Sequence, residues 1–179
     1  MKSTSNPTAL RTQRAIKNSL KALMANDTFS HITVTEICQE AGVTRQAFYT
    51  NFRSKEDVFS SILLEVQREW RMKLPASELS SLYDICVALY QTWRDHSDLL
   101  DLIVRDSLIS LFVDVLLPAN FPVRYAAEVP PRKQRQLEPV ARMLMTGGVA
   151  QALIYWSQTG YRETPEDMAL ATTSVSVND

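Results

Sequence analysis

Apolar residues recur at helical spacing along almost the whole chain, and beyond Pro75 no β-strand pattern or internal repeat stands out. The segment to Ser5 is expected to be disordered. Asn6 and Pro7 then offer a cap followed by proline at a first helical position, opening a helix to about Ala25 whose Ile16, Leu20 and Leu23 form an i, i+4, i+7 stripe. Phe29 and Ile32 can close a small core against that stripe. Residues 32–52, ITVTEICQEAGVTRQAFYTNF, predict two short helices joined by a tight turn. Thr33 can cap the first, with Glu36 returning the bond as a capping box, and Val34, Ile37, Cys38 and Ala41 supply its apolar face. Gly42 stands where a helix ends in a left-handed residue, and Val43 can plug the angle between the helices. Thr44 caps the second helix, whose Phe48 and Phe52 point inward while Gln46, Tyr49 and Thr50 lie largely on another face. Ser54, with Asp57 completing a capping-box pattern, opens a further helix to about Lys73 that turns Val58, Ile62, Val66 and Trp70 to the core.

Pro75 marks a boundary, and the spacing beyond it stays helical. Leu79, Leu82, Tyr83, Val87 and Tyr90 suggest one helix, and residues 99–117, broken near Arg105, suggest one or two more. Four prolines, Pro118, Pro122, Pro130 and Pro131, make 118–131 a long loop. A long apolar helix follows from about Arg132 or Leu137 to Thr159, ended by Gly160. Thr164, Pro165, Glu166 and Asp167 then combine cap, first-position proline and first-turn acid to open a last helix to about Val175. The expected fold class is all-α, with an N-terminal three-helix helix-turn-helix domain at 1–53, a linking helix at 54–73 and a C-terminal helical domain at 74–179.

The second helix of the turn motif is unusually polar, which suits a DNA major groove. Arginine or glutamine near a helix N-terminus can present paired hydrogen bonds to guanine or adenine edges, and Arg45 and Gln46 stand there. Ala47 is small enough to approach a thymine methyl, and Tyr49, Thr50 and Asn51 are placed to donate to phosphate oxygens. Lys55 adds a cation beside the amides of a helix N-terminus, where phosphate is the natural partner.

The run TVTEICQEAGVTRQAFYTNFRSKEDVF closely resembles the N-terminal domain of TetR/AcrR-type transcriptional regulators, in its threonine-rich start, its A-G-V turn, its F-Y-x-x-F block and its S-K-E-D opening. The resemblance implies a three-helix DNA-binding domain, a larger helical ligand-sensing and dimerisation domain, and a two-fold dimer on a pseudopalindromic operator of double-stranded DNA. Carried over residue by residue, Thr33 and Thr35 resemble the family's contacts from the second helix, and Thr44, Arg45, Gln46, Ala47, Tyr49 and Asn51 those of the recognition helix. Lys55 resembles its phosphate-binding lysine. Many relatives place other residues at Gln46 and Asn51, so the operator sequence stays open. The last two helices are similarly the family's dimerising pair, a reading that Gly147 and Gly148, which permit close approach, and the apolar Met143, Val149, Leu153 and Trp156 support physically.

Charge and chemistry adjust this picture little. The net charge is −1 overall, with +3 on residues 1–60 and −4 on the rest, a polarity that can orient approach to phosphate. Cys38 and Cys86 form no CxxC, and with only His31 and His96 besides, neither a metal site nor any cofactor is expected. A nucleophile with its base or a phosphate-binding glycine loop is equally missing, so no catalytic residues are assigned and an enzyme is not expected. No hydrophobic stretch follows the basic N-terminus, and the uncharged segment 143–161 contains Gln151, Ser157, Gln158 and two adjacent glycines, which favours a helix buried in protein over a bilayer span. A cytoplasmic protein is expected. Tyr83, Tyr90, Trp93 and Phe112 are the candidates to line a cavity for an unknown small-molecule effector, although aromatics at this spacing more often form plain core. The function expected is a regulator, most often a repressor, that an effector releases from DNA; the alternative is an activator or co-regulator-binding protein of the same fold without an inducer.

Overall fold

A computed structural model describes residues 7–74, 81–116 and 130–174, and among them the chain is helical with no strand. The described residues carry α1 (Pro7–Asn26), α2 (Val34–Ala41), α3 (Arg45–Asn51), α4 (Lys55–Lys73), α5 (Leu82–Asp95), α6 (Ser97–Arg105), α7 (Ile109–Leu116), α8 (Pro131–Gln158) and α9 (Pro165–Ser174). They form two compact units that divide within α4, between Glu65 and Val66. The expected boundary at Pro75, the contribution of Leu79, most of the proline-rich 118–131 stretch, the disorder to Ser5 and the end of the last helix at Val175 lie outside the described residues.

The first unit is a small aromatic and aliphatic core. Its α1 stripe is Ile16, Leu20 and Met24, all fully buried, so the last position falls one residue later than the expected Leu23, which is half-buried. Each i+4 step from Ile16 through Leu20 to Met24 advances the stripe by about 40° around the axis, so the buried face winds slowly around α1 and takes in Met24 rather than Leu23. Phe29 and Ile32 are buried as expected, and the Phe29 ring lies 5.6 Å from that of Phe59 on α4. Lys17 on α1 pairs with Glu65 on α4.

In the second unit α5 packs along α9, while α6 and α7 pack against α8. Ser81 and Asp84 make a full capping box at the start of α5, a signal the apolar spacing alone passed over. The expected break near Arg105 is a turn at Asp106 and Ser107, the latter at a positive φ of 56°. Pro131 begins α8 at its first position with Pro130 as cap, so these two prolines start a helix rather than prolong a loop; a first-turn residue needs no N–H donor. Thr164 and Asp167 exchange bonds of 3.1 and 3.2 Å at the start of α9. Gly160 sits at φ 72° just after α8, and Tyr161 follows at φ 57°. Tyr161 is held in that uncommon conformation by its hydroxyl, which donates to Ser97 O at 2.9 Å and to Asp101, and by Arg94, which donates to its carbonyl.

Three residues expected to offer a free apolar face on α8 are core instead: Val149, Leu153 and Trp156 are fully buried within the unit. The exposed apolar side chains are Leu137, Val140, Met143, Leu144 and Tyr155 of α8 and Leu170 of α9, and Leu144 reaches 72% exposure. Between α8 and α9 lies an apolar groove of about 300 Å³, lined by Leu144, Gly148, Ala152, Met168 and Ala171 among others. Among the described residues no helix is long and apolar enough to cross a membrane.

Candidate nucleic-acid interface

The α2–turn–α3 segment is built by local hydrogen bonds between residues close in sequence. The Thr33 hydroxyl accepts from Glu36 N at 3.2 Å and donates to Glu36 Oε2 at 2.7 Å, while Thr33 N donates to the same carboxylate oxygen at 2.7 Å. The Thr33 hydroxyl, followed by its amide, holds the Glu36 carboxyl below the usual carboxylate range. Gly42 adopts φ 63° and closes α2, its N–H bonding to Gln39 O, with Val43 N bonding to Cys38 O at 3.0 Å. A side chain at φ near +60° would crowd the neighbouring carbonyl, which is why glycine stands here.

Thr44 then caps α3 by accepting from Ala47 N at 3.1 Å. Phe48 is fully buried and Phe52 nearly so, their rings 6.2 Å apart, and they anchor the inner face of α3. The outer face presents Arg45, Gln46 and Tyr49 to solvent. Arg45 is not loose: its Nη1 reaches Thr35 Oγ1 at 3.4 Å, and its guanidinium lies 5.9 Å from the Tyr49 ring centroid. Tyr49 in turn sets its ring edge-on to Phe48 at 5.3 Å. Among the described residues Gln46 has an exposed side chain with no partner inside the chain, so its donor and acceptor both face outward.

Besides Thr35 and Arg45, five of the expected contact residues have polar groups already engaged. The Thr33 hydroxyl is committed to the cap of α2 on both its donor and acceptor sides. Asn51 donates from its amide to Ala47 O at 2.8 Å, and Thr44 accepts at the start of α3 while keeping its hydroxyl proton. Thr50, also placed by the sequence toward phosphate, donates to Gln46 O at 2.8 Å. Lys55 donates from Nζ to Phe29 O, Ser30 O and Ile32 O. What the structure brings together outward is a tighter set: Arg45 with Thr35, Gln46, half-buried Ala47 and Tyr49. The start of α4 also differs slightly from expectation. Ser54 Oγ accepts from Asp57 N at 3.2 Å, but the Asp57 carboxylate takes the amide of Arg53, one residue earlier than a reciprocal box.

The aromatic residues expected to line a cavity are distributed differently. Tyr90, Trp93 and Phe112 are buried, with Trp93 edge-on to Phe112 at 4.9 Å and Tyr90 edge-on to Trp156 at 5.7 Å. The Tyr90 hydroxyl meets Thr172 Oγ1 of α9 at 2.7 Å, and burial pushes its pKa up to about 12. Tyr83 is half-exposed on α5. These rings fill one another's space as core; among the described residues no group of three His, Cys, Asp or Glu side chains could hold a metal ion.

Residues 20–62 match the family described as bacterial regulatory proteins, tetR family, a span from the middle of α1 into α4. The chain is similar to the HTH-type transcriptional regulator AcrR of Shigella flexneri, 31% identical over 91 residues, which is 47% of this chain and 42% of that protein. It is also similar to the uncharacterized HTH-type transcriptional regulator YerO of Bacillus subtilis (strain 168), 28% identical over 108 residues, 54% of this chain and 36% of that protein. The matches thus span less than half the length of these curated relatives. Among solved structures, a TetR transcriptional regulator from Streptococcus agalactiae 2603V shares the fold over 96% of both chains, with a TM-score of 0.66 at 16% identity. Helix order, the turn at Gly42 and these similarities agree: the first unit carries a helix-turn-helix that matches the tetR family over residues 20–62, and the chain as a whole is similar to TetR/AcrR-type regulators in fold.

Proposed function

We propose that this chain is a ligand-responsive transcriptional regulator that reads double-stranded DNA with α3, as a two-fold homodimer joined through α8 and α9. The observation that carries the reading is the outward face of α3, where Arg45, steadied by Thr35 and Tyr49, stands beside the unpartnered Gln46 on a helix anchored by Phe48 and Phe52. A preorganised arginine loses less freedom when it meets a guanine edge, and glutamine suits adenine. The DNA contacts are Arg45, Gln46, Ala47 and Tyr49 on the base side, with Thr35 and Thr44 at the flanks.

One such helix reads only a few base pairs, so two must be tied together to read half-sites about 34 Å apart. The exposed apolar row on α8 and α9 supports the dimer, because a monomer rarely leaves such side chains in water without use. Release by an effector then needs a ligand that favours one arrangement of the two reading helices over another, and a coupling of ~3 kcal/mol is enough for roughly 150-fold weaker binding. Tyr90 packs edge-on against Trp156 and Trp93 against Phe112 as core, which argues against an effector seated among them. Repression is the usual sign for such a regulator.

The test is selection of bound sequences from random duplexes, followed by affinity measurement with Arg45→Ala and Gln46→Ala. Loss concentrated on the selected sequence supports base reading. Equal loss on selected and random DNA for both variants refutes it, and a reporter carrying the selected operator shows whether the sign is repression.

A further inference from the structure

Lys55 opens α4 at the position where a phosphate contact is expected, yet its ammonium is turned into the protein. It donates to Phe29 O at 2.7 Å, Ser30 O at 3.0 Å and Ile32 O at 2.7 Å, and lies 4.8 Å from the centroid of the Phe29 ring. An ammonium has three N–H donors and no acceptor, so three carbonyls at these distances use all of its hydrogen-bonding capacity. The carbonyls belong to the connection between α1 and α2, 23 to 26 residues away along the chain. Phe29 and Ile32, which flank this nest, are both buried, and the next residue is Thr33, the cap on which α2 starts. A phosphate oxygen could take one of these N–H groups only by leaving a carbonyl of that connection without its donor.

We infer that Lys55 is a positioning residue of the reading unit: it ties the 29–32 connection to the first turn of α4, sets where α2 begins, and does not itself neutralise a DNA phosphate. Its consequence for DNA rests on the function proposed above, whereas the tie stands without it. Orientation reaches the reading face through short links, since Thr33 starts α2 and Thr35 of α2 holds Arg45 of α3. Losing the tie therefore disturbs the groups that discriminate between sequences. Losing a phosphate contact would instead weaken all DNA alike.

The experiment compares the full chain with Lys55→Met, which keeps the apolar stem and removes the donors, well below both melting temperatures. Affinity is measured on the selected operator and on random duplex across a range of salt. The expected result is a lower melting temperature, about tenfold weaker operator binding with a smaller loss on random DNA, and a salt slope changed by much less than the ~0.9 that one phosphate contact contributes. A slope smaller by ~0.9 with equal loss on both DNAs overturns the inference in favour of a phosphate contact. Unchanged operator affinity overturns it in favour of a purely structural lysine. Should Lys55→Met fail to fold, reductive methylation of the unaltered protein decides: Lys55 must react far more slowly than the exposed Lys21 and Lys133, and equal rates overturn the tie. A protein that binds no DNA refutes the proposed function, while the methylation result still tests the tie on its own.

Discussion

Leu144 offers a direct measure of whether α8 and α9 join two copies of this chain. It is 72% exposed in the protomer, so Leu144→Glu removes almost no packing within the unit, and glutamate keeps the helix because its helical propensity is close to that of leucine. In a two-fold interface the change occurs twice. Fully burying a leucine contributes about 1.5–3 kcal/mol, so the exposed fraction amounts to about 1–2 kcal/mol per copy and about 2–4 kcal/mol per dimer. A carboxylate buried without a partner adds to that loss. A weakening of at least ~3 kcal/mol means a dissociation constant more than roughly 100-fold higher. Sedimentation velocity over a wide concentration range reads this directly, with circular dichroism confirming unchanged helix content, and Leu144→Ala should lose less because it adds no charge. A dimer whose dissociation constant stays within threefold in Leu144→Glu would refute the assignment of this face.

Further expectations concern local structure. Gly42→Ala should destabilise the chain by about 1–2 kcal/mol through backbone strain alone, since a Cβ there meets nothing within 4 Å, and Gly42→Asn should cost less; equal losses in thermal melts would contradict a left-handed requirement. Burial raises the Cys86 thiol from 9.0 to about 11, so the folded state holds that proton more tightly than the unfolded chain. The resulting stability, about 3 kcal/mol, is fully present below pH 9 and is lost as pH rises toward 11; Cys86→Ala should flatten denaturation profiles in that window, and an unchanged slope would count against it. Glu36 is depressed by Thr33, so its contribution is present above pH 4.5 and fades as pH falls through the lowered value. In Thr33→Ala, carboxyl titration followed by NMR should return Glu36 toward 4.5, and a titration matching the unaltered protein would show that the cap bond does not form in solution.

Much of the reading unit is legible in the chain because its hydrogen bonds are short in sequence. Caps at Thr33, Thr44 and Thr164 join a side chain to an amide three residues on, and the Gly42 turn needs only one residue type, so residue order alone predicts them. The break between α6 and α7 and the buried row of Val58, Ile62, Val66 and Trp70 follow equally from helical spacing. Spacing does not say which of two adjacent apolar residues turns inward, which is why Met24 rather than Leu23 completes the α1 core. Nor does it say whether an apolar side chain meets its own unit or a partner: Trp156 is held inside by Tyr90 and Tyr161, while Leu144 on the same helix stays in water.

By itself the sequence determined the helices, their caps and the polar face of α3, because those depend on contacts within one or two turns. Only the tertiary structure decided which of the polar groups are spoken for. Lys55 meets carbonyls more than twenty residues away, Tyr90 meets Thr172 across 82 residues, and Arg45 is steadied by Thr35 from a different helix. Residue type shows that a group can donate; the fold determines whether its donors are already used.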